Sequence, residues 1–215
     1  MEGRTVLLIR HGTVDLPAIG TGIPRVYGPH QPLNEHGIHQ TIRLTQQLIG
    51  LGIRADLIYT SQFERAQQTA NLLHELFPHH PPVIPDTRFN GVEAPQWENR
   101  PETELGETGG DMFADNPALP ALRGETLKHC YNRVISEYKQ VLESHKNGTI
   151  AIVTHGEIID MIMHYHKVGD RGTPGMEHTI DKGEAIILSL TNEGTRIEQR
   201  VVTPEGPVVY RERLQ

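Results

Sequence analysis

Two short stretches of the chain, Thr5 to Ile9 (TVLLI) and Thr149 to Val153 (TIAIV), are apolar and partly β-branched, without the alternation of a half-solvated strand. Runs of this kind fit strands covered on both faces, as in the centre of a parallel sheet. Elsewhere the apolar period becomes helical. Asn34 stands where an N-cap belongs, and Ile38, Ile42, Leu44, Leu48 and Ile49 form a stripe that predicts a helix to about Gly50. Asp56 to Thr60 (DLIYT) predicts a short strand. Phe63 to Phe77 predicts a helix, ended by Pro78 and the His79-His80-Pro81-Pro82 loop, with a third short strand at Val83 to Ile84. From about Leu119 to His145 a long helix is expected, with Leu127, Val134, Ile135, Tyr138, Val141 and Leu142 on one side. Another helix starts at Glu157, and two last strands fit Glu184 to Leu190 and Thr195 to Val202. Strands alternating with helices predict an α/β fold, a three-layer α/β/α sandwich with a mostly parallel central sheet. In such sheets ligands bind beyond the carboxyl ends of the strands.

Composition narrows the class. A length of 215 residues suits a single domain over 1–215 and can bury a substantial core. With one cysteine, Cys130, no disulfide framework exists, so a reducing, cytoplasmic setting is expected and Cys130 reads as a core residue. The N-terminal apolar run is too short for a signal peptide, and none approaches the roughly 20 residues that span a bilayer, so no membrane association is expected. The chain has 20 Lys+Arg against 27 Asp+Glu, a formal charge of −7, which argues against a nucleic-acid partner. Most of that charge is local. Glu93, Glu98, Glu102, Glu104, Glu107, Asp111 and Asp115 share their stretch with one base, Arg100, and with several prolines and glycines. We read an acidic loop or lid inserted at about 93–118, which would repel polyanions and favour a small substrate. The 13 histidines do not predict a metal site. His79 and His80 are flanked by prolines, His164 and His166 point to different helix faces, and His30, His36 and His39 have no Cys or carboxylate at ligand spacing. A homodimer is compatible with the sequence, but no motif in it sets the oligomeric state.

The chemistry is concentrated where strands end. The first apolar run is followed by Arg10-His11-Gly12 and the later one by Thr154-His155-Gly156, while Asp56 to Thr60 is followed by Ser61 and Arg65. Arg10, His11, Arg65 and His155 would therefore meet at one edge of the sheet. Two guanidinium forks and two imidazoles suit a small phosphorylated dianion. A neutral imidazole can also attack phosphorus, giving a phosphohistidine.

At these residues the chain resembles the histidine phosphatase superfamily, the phosphoglycerate mutase-like fold. The resemblance runs in order through Leu8-Ile9-Arg10-His11-Gly12-Thr13, Arg25 to Gly28 with Gln31 to Gly37, Tyr59-Thr60-Ser61 through Arg65 to Ala70, Arg123-Gly124-Glu125-Thr126, and Val153 to Glu157. It implies His11 as nucleophile, a phosphate pocket of Arg10, Arg65 and His155, and no metal or organic cofactor. Thr13 falls in the first matching block and is carried as a substrate-binding candidate. Arg25 either faces substrate, by its place in the pattern, or pairs with an acid. Glu125 and Thr126 either contact substrate or cap the long helix. One position departs from the pattern. The family's proton donor usually stands six residues before a Trp-Glu pair, and counting back from Trp97-Glu98 reaches Gly91. The nearest carboxylate is Glu93, so either the loop is rebuilt to bring Glu93 to the leaving oxygen, with a marginal role for Glu98, or the usual acid is absent.

The expected function is a cofactor-independent phosphoric monoester hydrolase acting on a small phosphorylated metabolite through phosphohistidine at His11. A phosphoglycerate mutase-type phosphotransferase is the alternative within the class. From another class comes a phospho-ligand-binding module that keeps Arg10, Arg65 and His155 but lacks a working acid. Specificity would come from the loop Val14 to Gln31 and the acidic segment.

Overall fold

The computed structural model describes residues 3–15, 28–93, 125–169, 180–190, 198–203 and 206–208, with the isolated positions 95, 98 and 100. Its strands are β1 (Arg4–Arg10), β2 (Leu57–Thr60), β3 (Val83–Pro85), β4 (Gly148–Thr154), β5 (Ala185–Leu190), β6 (Glu198–Thr203) and β7 (Gly206–Val208). The helices are α1 (Glu35–Gly50), α2 (Glu64–Leu76), α3 (Leu127–Ser144) and α4 (Gly156–Val168). A single sheet has the order β3-β2-β4-β1-β5-β6-β7. The ladders among β3, β2, β4 and β1 are parallel, and β5, β6 and β7 are added by antiparallel pairing.

The unbroken apolar character of β1 and β4 has the cause inferred from sequence. Leu7, Ile9, Ala151 and Val153 face one way, into a core with Leu44 and Leu48 of α1 and Ala66, Ala70 and Leu73 of α2. Val6, Leu8, Ile150 and Ile152 face the other way, against Val134, Ile135 and Tyr138 of α3 and Ile158, Ile159 and Ile162 of α4. Helices thus cover both faces, and every residue of these strand centres is buried because successive side chains point to opposite layers.

Side-chain caps set the starts of α1 and α3. Asn34 caps α1 by accepting from Gly37 N at 2.8 Å. The α3 helix begins at Leu127, where Thr126 is extended and its hydroxyl accepts from His129 N at 3.1 Å. The expectation for 119–124 lies outside the described residues, as do Arg25, Trp97 and most of the acidic 93–118 segment. The sequence reading lacked β7, a three-residue edge strand containing Pro207 that is too short to show a period. Among the described residues no helix is long and apolar enough to cross a membrane.

Register places the site. Arg10 pairs with Thr154, so the next residue on each strand is a histidine. His11 N continues the ladder to Thr154 O at 3.0 Å, and Ser61 N, one residue past β2, reaches Val153 O at 3.0 Å. The carboxyl ends of β1, β2 and β4 therefore meet at one edge.

Candidate active site

His11 and His155 are each only 2 % exposed, and their rings stand edge to face with centroids 5.1 Å apart. Arg65, in the first turn of α2 and 5 % exposed, lies between them. Its Nε donates to His11 Nε2 at 3.2 Å and its Nη2 approaches His155 Nδ1 at 3.4 Å, while Nη1 donates to Gly28 O at 2.9 Å. Phe63 supports this arrangement, with the Arg65 guanidinium 5.0 Å from its ring centre and the His155 ring 5.0 Å away edge-on.

The hydrogen bonds fix the tautomers. His11 Nδ1 is 2.8 Å from Gly12 O, which can only accept, so Nδ1 carries the proton. Arg65 Nε can only donate, so His11 Nε2 presents its lone pair. By the same logic His155 Nδ1 faces the Arg65 donor and Nε2–H donates to Ser61 Oγ at 2.9 Å. The Ser61 hydroxyl then donates to Asn90 Oδ1 at 3.0 Å. Asn90 Oδ1 also accepts from Gln62 N at 2.8 Å, so its orientation is held in turn.

Electrostatics keep both imidazoles neutral. Burial, then the Arg65 charge, then Arg10 and Lys182, hold His11 well below the usual histidine range, against a smaller upward pull from the Gly12 carbonyl. His155 is depressed by burial and by Arg65, His11, Arg10 and Arg133. Arg10 completes the cationic cluster. Its Nη1 donates to Ile180 O at 2.7 Å, while its buried Nε has no partner among the described residues. A Cβ on Gly156 would lie 3.0 Å from Arg10 Cζ, so glycine there admits the guanidinium to the N-terminus of α4. His155 occupies the N-cap of that helix without a side-chain cap bond, leaving the positive end of the helix facing the same region.

The structure thus brings Arg10, His11, Arg65 and His155 together at one edge of the sheet. The other candidates are placed differently. Thr13 is tied to α1, its backbone N and Oγ1 both donating to Gln40 Oε1, at 2.9 and 2.8 Å. Glu93 is exposed, and its described hydrogen bonds are those of its backbone to Glu125. Exposed Glu98 lies against Gly28, with Oε2 2.5 Å from where a Cβ on that glycine would sit. Glu125 chelates Arg133 (Nε to Oε1 2.8 Å, Nη2 to Oε2 2.5 Å). Burial opposes its charge, but those bonds prevail and hold the carboxyl below its ordinary value. Arg133 in turn donates to Arg88 O at 2.8 Å and Asn90 O at 3.2 Å, fastening the loop that carries Asn90 and Gly91 to α3.

Sequence reasoning did not assign roles to Ser61, Asn90, Arg133 or Glu157. Ser61 had a usable signal, its position just past a strand end. Asn90 and Arg133 had none, since they act across long sequence separations and Arg133 works largely through backbone carbonyls. Among the described residues no group of three His, Cys, Asp or Glu side chains is arranged to hold a metal ion.

A family model described as the histidine phosphatase superfamily (branch 1) matches residues 6–203. The chain is 25 % identical over 212 residues to a 2,3-bisphosphoglycerate-dependent phosphoglycerate mutase of Bartonella quintana, covering 94 % of this chain and 100 % of the relative. It is 26 % identical over 164 residues to 5''-phosphoribostamycin phosphatase of Niallia circulans, covering 73 % and 75 %. Among solved structures, Bacillus stearothermophilus YhfR superposes with a TM-score of 0.69 at 25 % identity, covering 93 % of this chain and 96 % of that one.

Proposed function

The chain belongs to the histidine phosphatase superfamily, branch 1, and from that premise we propose that it is a phosphohydrolase of a small phosphorylated metabolite with His11 as nucleophile. The observation that carries this reading is the tautomer of His11. Gly12 O holds the Nδ1 proton and leaves the Nε2 lone pair aimed into a cationic cluster, where the Arg65 Nε–H covers it. A phosphoryl group entering the cluster offers oxygens to Arg65, freeing Nε2 to bond phosphorus. As the imidazole loses electron density, the Gly12 carbonyl stabilises the positive charge through Nδ1–H. Arg10, whose Nε has no partner among the described residues, together with Arg65 and His155, binds the equatorial oxygens and stabilises them in the transition state, where most phosphoryl-transfer catalysis is found. The chemistry as drawn uses only this chain's residues and calls for no metal or organic cofactor.

The leaving oxygen needs a proton from a carboxyl group, for which Glu93 is the candidate by sequence position alone. Arg25, Thr13 and the loop at 14–31 are assigned to the substrate's remaining parts, and the acidic segment at about 93–118 serves as a lid on a single domain over 1–215. The lone, buried Cys130 fits a cytoplasmic enzyme. A homodimer is compatible with this reading.

The similarity to the 5''-phosphoribostamycin phosphatase supports hydrolysis of a small phosphorylated compound, and the similarity to phosphoglycerate mutases favours a second reading, phosphoryl return to a sugar acid. Two assays decide. Rapid acid-free quench after mixing with labelled nitrophenyl phosphate should trap acid-labile phosphate on His11, and His11→Ala should abolish both trapping and turnover. Turnover that survives in His11→Ala defeats the reading. Interconversion of 2- and 3-phosphoglycerate faster than release of inorganic phosphate would establish the mutase instead.

A further inference from the structure

One carboxylate beside the His155 ring has no part in the scheme above. Glu157 stands in the first turn of α4, two residues after His155, and is half-buried. A methyl group placed on Gly91 would lie 2.8 Å from Glu157 Oε1 and 3.3 Å from both Cγ and Cδ2 of His155. Glycine at 91 therefore leaves a slot beside the imidazole, and the Glu157 carboxylate occupies it from the neighbouring helix. The same oxygen accepts from Val92 N at 3.3 Å, which holds the group against the loop. Glu93, on that loop, is exposed.

We propose that Glu157 protonates the leaving oxygen in the first half of the reaction and accepts a proton from water in the second. This rests on the phosphohistidine reading. In the first half His11 Nε2 bonds phosphorus and the P–O ester bond breaks with its electron pair on the leaving oxygen. Glu157, carrying the proton it took from water in the preceding turnover, gives it to that oxygen and becomes a carboxylate. In the second half water bonds phosphorus and passes a proton to Glu157. The N–P bond then breaks with its pair returning to Nε2, releasing phosphate and restoring the enzyme. The long side chain can swing from the slot toward the leaving group, and Gly91 leaves the way clear for it. The acid that the family pattern expects at position 91 is thus supplied from an adjacent element.

The test compares leaving groups. Glu157→Gln keeps an oxygen for Val92 N–H but cannot donate an acid proton. Its kcat/KM for glycerol phosphate should fall about 10²- to 10⁴-fold, whereas phosphohistidine formation from nitrophenyl phosphate, whose leaving group needs no proton, should change by less than ~10-fold. Glu157→Asp should recover part of the loss, and Glu93→Gln should leave the ratio of the two substrates unchanged. Equal losses on both substrates, or the leaving-group-dependent loss appearing in Glu93→Gln instead, overturns the proposal. Trapping on the unaltered enzyme is done first. Absence of phosphate on His11 there defeats the phosphohistidine reading itself, which separates the two failures. If Glu157→Gln does not fold, Gly91→Ala, which fills the slot and crowds out the carboxylate, is measured in the same way. An unchanged substrate ratio in that variant counts against the proposal, and a selective loss on glycerol phosphate supports it.

Discussion

At the scale of single residues, the site depends on holding two imidazoles in defined orientations without charging them. His155 is oriented by Ser61, whose hydroxyl is itself aimed by Asn90, so this chain sets which nitrogen faces Arg65. Ser61→Ala or Asn90→Ala should release the ring, and because a displacement of about 1 Å can cost some 10²-fold, kcat/KM should drop by that order. The loss should be equal for nitrophenyl and glycerol phosphates, since phosphoryl binding and not protonation is impaired. A loss confined to the alkyl ester would show that Ser61 serves proton transfer instead. The residue scale is also where sequence reading was uneven. Arg10, His11 and His155 were legible because they stand at the ends of apolar runs, with a glycine directly after each histidine. Glu157 was not, since its significance comes from the missing side chain of Gly91, on a loop remote in sequence that only the folded chain brings alongside.

At the scale of elements, the turn from β1 into the site is held by direct backbone contact. A Cβ on Gly12 would lie 2.5 Å from Gly37 O, and one on Gly37 would overlap the Thr13 backbone, so the His11 turn and the first turn of α1 touch with no room for a side chain. Gly37→Ala should therefore cost about 1–3 kcal/mol as an overpacking change and also lower kcat by shifting the His11 turn. Thr126→Ala, which removes the cap of α3, should cost about 1 kcal/mol with little effect on kcat. Urea unfolding and steady-state assays on both variants test the contrast. Equal kinetic effects would mean that the glycine contact does not position the site. Helices and inner strands were readable from sequence because their faces are covered evenly, as with Ile158 and Ile162 of α4 against Val6 and Leu8 of β1. Apolar spacing alone does not show that Thr126 caps α3, because the cap is set by one hydroxyl and an extended backbone turn.

At the scale of the molecule, the histidines make stability depend on mild acidity. His11 and His155 are depressed by burial and by the arginines, and burial lowers His166 to about 4, where it faces the Tyr138 hydroxyl at 2.7 Å. Below the ordinary histidine value of about 6.5 the unfolded chain takes up protons that the fold refuses, so stability should be highest above that pH and fall as the solution is acidified. Each such group contributes at most about 1.4 kcal/mol per pH unit, and the share from His166 should be complete near its own value of about 4. Two carboxyls, buried Glu137 and half-buried Glu184, act in the opposite sense. Glu137, pushed up by burial and by Asp86 despite its ion pair with Arg88, and Glu184, pushed up by burial, favour the fold as pH falls through their raised values toward the ordinary carboxylate range. Thermal unfolding between pH 7 and 4 should show a declining Tm, and His166→Gln, which cannot take up the proton, should make the decline shallower. A slope unaltered by that change would remove His166 from the account.

The parallel pairing of β1 with β4 bears on how the protein comes to be active at all. The two histidines lie far apart in the sequence, at positions 11 and 155 of 215, and residue-for-residue alignment from Arg4 with Gly148 to Arg10 with Thr154 is what sets them side by side. Among the described residues no local hairpin joins the two histidines, so closure of a loop of well over half the chain precedes the first productive contact between His11 and His155, and topologies of that kind fold slowly. A nascent chain still emerging from the ribosome would already hold His11 and Arg65 but not the strand that aligns them with His155. Synthesis of the last third of the protein is therefore the moment at which the phosphate pocket comes into existence.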